Sequence, residues 1–295
     1  MKIKKTKEDR AFSVILFLVL GFLCFVMAYP IYYIVCYSLS DPAKITPGFL
    51  WFVKGTPSLQ SYADVFAFGG IPQAFLISVL RCICSPLLML IVTLPAAYAL
   101  SKPGMYFRKV VLLILTMTMY IDAGMIPNYM RISSLNLNHT FWVYVIPGAF
   151  SAFNLILVKT YMEGIPAALE ESAYVDGSGY FRTFFYIVLP ICKPVIATIT
   201  LFAIVGQWNT YMDTMLYNAE DSSLHTISYV LMQFVQNTVN LFEQTRSQSG
   251  ELERQVNTNS LKMAITTISI LPIACVYPFL QKYFVKGIMI GAVKG

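Results

Sequence analysis

The sequence predicts an all-α, polytopic membrane protein with six transmembrane helices. Three observations carry that expectation. Of 295 residues, 57% are hydrophobic and only 12% are charged, where a soluble domain carries about a quarter charged residues. The apolar residues form long uncharged runs, 30 residues from Ala11 to Ser40 and 20 from Cys82 to Ser101, and about 20 suffice to cross a bilayer. The basic residues gather in alternate connections between such runs, as they do in the cytoplasmic loops of membrane proteins.

Residues 1–10 form a basic tail with five Lys/Arg. The first span follows, from Ala11 to Ser40. It is too long for a signal peptide and lacks a small-residue cleavage pattern before Tyr29-Pro30. Asp41 to about Ile71 reads as an outer loop, with Trp51 and Phe52 as interfacial aromatics. The second span lies within Gln73 to Ser101. Arg81 falls near its outer end and either snorkels to the surface or pairs with an acid on another span. Lys102 to Lys109 is a basic turn.

The third span is expected from Val110 to Ile126 and contains Asp122. An acid at that depth serves the transport path or is solvated at the interface. A short outer connection is expected over residues 128–138. The fourth span is expected from Thr140 to Tyr161, inside 27 residues without charge. The fifth runs from Pro194 to Tyr217. A long polar loop then carries an amphipathic helix over Ile227 to Phe242, and the last span runs from Leu261 to Phe279. The six-span domain therefore covers 11–284, and 285–295 is a second basic tail.

Six spans put both termini on one side. Five Lys/Arg in the first tail, three in 102–109, three from Lys159 to Lys193 and three from Lys282 to Lys294 make 14 of 21. The positive-inside rule places those segments in the cytoplasm. The net charge of +6 thus reflects topology, not nucleic-acid binding. All six cysteines lie in or at the ends of spans, which leaves no disulfide framework. His139 and His225 lie too far apart to suggest a zinc centre. No G-x-x-x-x-G-K-[ST] loop is present, so this chain does not itself bind ATP in that way.

Between the fourth and fifth spans lies the stretch Ile165 to Pro194, too polar for lipid. Pro166 suits a first helical residue, where its missing N–H costs nothing. Ala167 to Val175 reads as helix, with Glu170 and Glu171 near the positive end of its dipole. Gly177 suits a left-handed cap. Ser178 suits the N-cap of a second helix, running through Phe181 and Phe184 until Pro190 bends it. The product is a helix–turn–helix elbow, either a plain connection or a surface that another protein holds.

Glu171-Ser172-Ala173, Gly177 and Ile187-Val188-Leu189-Pro190 together resemble the E-A-A---G---------I-LP loop of ABC importer permeases, with Ser172 as the one departure. Asp176-Gly177, Leu189-Pro190 and the YFVKG…GAVKG ending over Gln281 to Gly295 resemble the carbohydrate-uptake branch, in the manner of the second maltose permease subunit. The resemblance covers about the last two-thirds of the chain. It implies a permease subunit of a binding-protein-dependent importer for an oligosaccharide, in a bacterial cytoplasmic membrane. The implied partners are a second permease, two ATPase subunits carrying ATP and Mg, and an extracytoplasmic sugar-binding protein. The chain itself would hold no cofactor and catalyse no reaction. The resemblance also implies ATPase coupling through Glu170, Glu171, Ser172, Ala173, Asp176, Gly177, Leu189 and Pro190.

The fifth span carries the most polar intramembrane cluster: Gln207, Trp208, Asn209, Thr210, Tyr211 and Asp213. Such groups must face protein or a wet cavity. Gln207, Tyr211 and Thr214 have the spacing of one helical face. The cluster either contacts substrate, since aromatic rings stack on sugars and amides or carboxylates bind hydroxyls, or holds helices together. With Asp122 it makes up the expected substrate path. Two rival functions remain: an ABC permease for a peptide or amino acid, and a secondary transporter or intramembrane enzyme. The latter calls for inverted repeats or a paired catalytic constellation, and the sequence displays neither.

Overall fold

Every regular element among the described residues is helical. The computed structural model describes residues 7–41, 44, 45, 48, 50–67, 70–244 and 259–275. The ending over Gln281 to Gly295, the tail 285–295 and the last residues of the sixth expected span lie outside them. The chain divides into two units, Met1–Gly69 with Gln233–Ile270, and Gly70–Met232 with Leu271–Gly295.

In the first unit, α1 (Lys7–Ser38) is a single 32-residue helix. None of its most apolar stretch is buried, and Phe12, Phe17 and Met27 stand free of protein, as lipid-facing side chains do. Its C-terminal end is anchored. Cys36 and Tyr37 pack with Ile45 and Leu50, and Ser38 shares a 2.7 Å hydrogen bond with the Tyr62 hydroxyl of α2 (Gln60–Ala67). Trp51 stacks on Phe25, with ring centroids 6.2 Å apart.

The second unit is built on α3 (Ile71–Ser101), which runs unbroken through Pro86 and Pro95. Against it pack α6 (Ala152–Glu163) and α10 (Lys193–Asn209). Met89, Ala97, Tyr98, Val158, Met162, Phe184, Val188 and Ile199 form their shared core. The amphipathic helix over the long loop is present as α12 (Ile227–Gln244), which belongs to the second unit up to Met232 and to the first from Gln233, and α13 (Asn259–Cys275) belongs to the first up to Ile270.

Six continuous spans are not what the described residues display. Two helices, α1 and α3, are long and apolar enough to cross a bilayer, and counting three sharply bent pairs brings the number to five. The third expected span breaks: α4 (Arg108–Tyr120) ends in extended backbone at Ile121, and α5 (Met125–Ser134) turns away by 116°. Pro127 sits in the first turn of α5, where orphan N–H positions tolerate it. The expected loop over 128–138 is therefore largely helical. The fourth span begins as two 3-10 turns, Phe141–Tyr144 and Pro147–Ala149, bent 45° from α6. Ser151 caps α6 by accepting from the Asn154 N–H. The fifth span stops at Asn209. Thr210 is extended, and α11 (Met212–Tyr217) restarts the helix.

The elbow's first helix is α7, Ala167–Val175, as expected, with Pro166 one place before the first turn and not within it. Its second helix differs in three respects. Gly179, not Ser178, holds the N-cap position of α8 (Tyr180–Thr183), without a side-chain cap. A π-helical turn, Phe184–Val188, leads into α9 (Leu189–Ile191). The 75° bend into α10 falls at Cys192, beyond Pro190. Pro190 and Pro194 both lack an N–H, so the ladder lacks one donor on each side of Cys192, and the chain turns between them.

Candidate functional site

Arg81 is the largest fully buried side chain among the described residues, only 1% exposed. An unpaired cation there would cost several kcal/mol, roughly, in lost hydration. Its partners come from the break after α10. Nε donates to Gln207 Oε1, one Nη to the Thr210 carbonyl at 3.1 Å, and the other to Asp213. Its carbon centre lies 4.8 Å from the centroid of the Tyr144 ring. Pairing, not snorkelling, is therefore its role. The helix break makes this possible. Once α10 ends, the Thr210 carbonyl has no helical donor, and Asp213 can turn back toward α3.

A second set of hydrogen bonds supports the first. Gln207 Nε2 donates to Ser85 Oγ at 2.7 Å. The Thr214 hydroxyl lies 3.0 Å from both the Tyr144 and the Thr226 hydroxyls. Tyr144 donates to the Leu224 carbonyl at 2.8 Å. Gly148 passes so close that a Cβ would lie 2.9 Å from Ser85 Oγ and 3.0 Å from Gln207 Nε2. Beside this network opens a cavity of about 420 Å3, lined among others by Asn128, Arg131, Tyr144, Gln207, Asp213 and Tyr217. Among the described residues, the Arg131 guanidinium makes no ion pair.

The elbow is closed by local chemistry. Gly177 has φ +79°, and the Ser178 N–H donates to the Ala173 carbonyl at 2.9 Å while the Gly177 N–H donates to Tyr174 at 3.0 Å. That pair of bonds is the Schellman cap, which needs a left-handed residue. Glu171, Ser172 and Asp176 are exposed, and Ala173 is buried. Glu170 turns inward to Lys102 and to the Tyr98 hydroxyl, the latter at 3.2 Å.

No family model matches the chain. Individual proteins do. Protein LplC of Bacillus subtilis is 35% identical over 291 residues, covering 98% of this chain and 97% of its own length. The polygalacturonan/rhamnogalacturonan transport system permease protein YtcP of the same organism is 32% identical, covering 98% of this chain and all of its own. The crystal structure of a bacterial ABC transporter involved in importing the acidic polysaccharide alginate contains a chain that superposes with a TM-score of 0.83 at 28% identity. It covers 96% of this chain and 100% of that one.

The chain belongs to the permeases of ABC sugar transporters.

As a permease it is a multi-pass membrane protein, and its motif sits where the resemblance put it, on the elbow. Of the loop residues, Glu171, Ser172, Asp176, Gly177 and Pro190 are exposed, whereas Leu189 packs against the core. Of the fifth-span cluster, the permease brings Gln207 and Asp213 together at the cavity. Trp208 is buried, its ring edge-on to Phe75 with centroids 5.9 Å apart, so it packs the interior. Asn209 and Tyr211 are exposed outside the cavity lining. Gln207, Tyr211 and Thr214 share no helical face, because the chain leaves the helix at Thr210. Asp122 is exposed in the extended stretch between α4 and α5. Tyr144 and Ser85 joined the site without a sequence signal of their own, and Arg131, which bounds the 27-residue uncharged run, carried one that was not read. For Arg81 the signal was its charge, standing at the edge of a long uncharged run.

Proposed function

We propose that this permease is one half of a heterodimeric translocation path for an oligosaccharide. Two partner ATPases, carrying ATP and Mg, dock on the elbow, and an extracytoplasmic binding protein delivers the sugar. Both termini and the elbow face the cytoplasm, and six spans cross the membrane. The observation that carries this reading is the elbow itself. A nine-residue helix, closed at Gly177, presents Glu171 outward on a surface that the described residues leave uncovered. The chain's contribution is a path that opens and closes, not a chemical step.

One observation favours sugars that carry carboxylates. Arg131 supplies the cavity with a cation that pairs with no acid among the described residues, while Asp213 is already matched by Arg81. A guanidinium holds a carboxylate through paired donors. The relatives that carry polygalacturonan and alginate agree with that chemistry. A thermal-shift screen of the cognate binding protein against neutral and uronate oligosaccharides tests the reading. Stabilisation by a peptide or an amino acid, and by no sugar, would refute it.

A further inference from the structure

We propose that Glu170 is a positioning residue that ties the coupling helix to α3, and that α3 carries movement of the elbow to the Arg81 cluster. This rests on the reading of the elbow as the ATPase-coupling element. Adjacent acids on a helix point about 100° apart, and here they divide the work: Glu171 faces out, and Glu170 faces α3. Its carboxylate meets the ammonium of Lys102, the residue that caps α3. It also accepts from the Tyr98 hydroxyl at 3.2 Å and the Tyr174 hydroxyl at 3.4 Å. The two phenols lie 3.4 Å apart, and the Lys102 ammonium sits 4.2 Å from the centroid of the Tyr98 ring. Loss of surrounding water holds the Tyr174 phenol above its ordinary pKa, so it remains a donor.

Apolar packing does little to hold α7. Its only buried residue is Ala173, a single methyl group. The angle of the helix against α3 is therefore set largely by one carboxylate and the three groups around it. Tyr98 is itself locked in the core, its ring 5.0 Å from that of Phe184. From Tyr98 back to Arg81 is 17 residues of unbroken helix, about 26 Å at 1.5 Å per residue. At the far end Arg81 grips Gln207, the Thr210 carbonyl and Asp213, beside the cavity. Helix α3 thus has two charged attachments, one at its C-terminus to the elbow and one at Arg81, a third of the way along it, to the broken span. A rigid element attached at two distant points is one physical route for passing displacement between them.

The test separates coupling from simple elbow packing. A cysteine at Leu216, on the cavity lining, reports access to a membrane-impermeant maleimide, after subtraction of labelling in the parent chain. The assembled importer is compared with and without ATP, Mg and vanadate. In the otherwise unaltered protein, trapping changes the labelling rate by roughly fivefold or more, the range of ordinary allosteric coupling. Glu170→Gln and Lys102→Met bind the ATPases and trap nucleotide, yet their labelling no longer responds. The exchange Glu170→Lys with Lys102→Glu restores the response, which a general loss of packing does not allow. Tyr98→Phe, which keeps the ring and removes one donor, falls between and serves if the charge variants assemble poorly. An undiminished response in Glu170→Gln or in Tyr98→Phe would overturn the proposal. So would loss of ATPase binding in Glu170→Gln, which would put this residue on the ATPase surface. Failure of the unaltered chain to bind ATPases would instead remove the underlying reading of the elbow, and this inference with it.

Discussion

Arg81 on α3 and Asp213 on α11 form an ion pair in which the Arg81 side chain is 2% exposed and the Asp213 side chain 35% exposed. The two residues are 132 positions apart. The pair joins an unbroken helix to one that the chain interrupts, and the interruption is what supplies the acid. Each nitrogen of this buried guanidinium has a partner, and removal of either residue of the pair leaves something unpaired.

The two removals differ in kind. Asp213→Asn leaves the buried Arg81 cation without its counter-charge, at about 3–5 kcal/mol. Arg81→Met with Asp213→Leu removes both charges and leaves no buried ion, so the double change should cost less than Asp213→Asn alone. Thermal unfolding of the detergent-solubilised chain should therefore rank Asp213→Asn below the double variant. A double variant that melts no higher than Asp213→Asn would mean that the unpaired charge is not what the single change leaves behind.

Gly148 is constrained by space. A Cβ there presses on Ser85 Oγ and Gln207 Nε2, and overpacking of this kind costs about 1–3 kcal/mol. Gly148→Ala should lower the melting temperature, and Ser85→Ala in the same chain should recover part of it. Simple additivity of the two changes would show that the Ser85 contact is not what opposes the methyl group.

Gly177 is constrained by torsion alone. Its φ is +79°, and nothing lies within 4 Å of an added Cβ. A β-branched residue resists that conformation by about 1–2 kcal/mol or more, whereas asparagine adopts it readily. Gly177→Asn should keep binding-protein-stimulated ATP hydrolysis near the original rate, and Gly177→Val should lose most of it. Equal activity in both variants would detach the cap geometry from coupling.

Topology is open to direct labelling. Cysteines at Ser178, in the elbow, and Glu220, in the loop after α11, should react with impermeant maleimide from opposite faces of the membrane, Ser178 only from inside. Labelling of both from outside would refute the six-span reading.

The legible parts of this protein are those encoded by neighbours in sequence. Helix α7 was readable to the residue, because Pro166, the acids of its first turns and Gly177 specify its two ends within eleven positions. The class was readable from uncharged runs. The breaks were not. Hydropathy measures whether a segment suits lipid, not whether its axis continues, so the turns at Ile121, Cys192 and Thr210 are silent in it. Asp213 reads as a polar residue on a span until the bend brings it to Arg81. Trp208 reads equally as a sugar platform or as core, and only Phe75, 133 positions earlier, decides between them.

The central claim is that the elbow couples this permease to ATP hydrolysis, and Glu171→Lys tests it most directly. The substitution reverses an exposed charge and perturbs the helix itself by only about 0.3–1 kcal/mol. Membrane insertion and melting temperature should stay unchanged. In the reconstituted complex, binding-protein-stimulated ATP hydrolysis should fall by roughly tenfold or more, the effect of about 1.4 kcal/mol at the contact. Stimulated hydrolysis at the original rate would contradict the account, and the elbow would be no more than a connection between two spans.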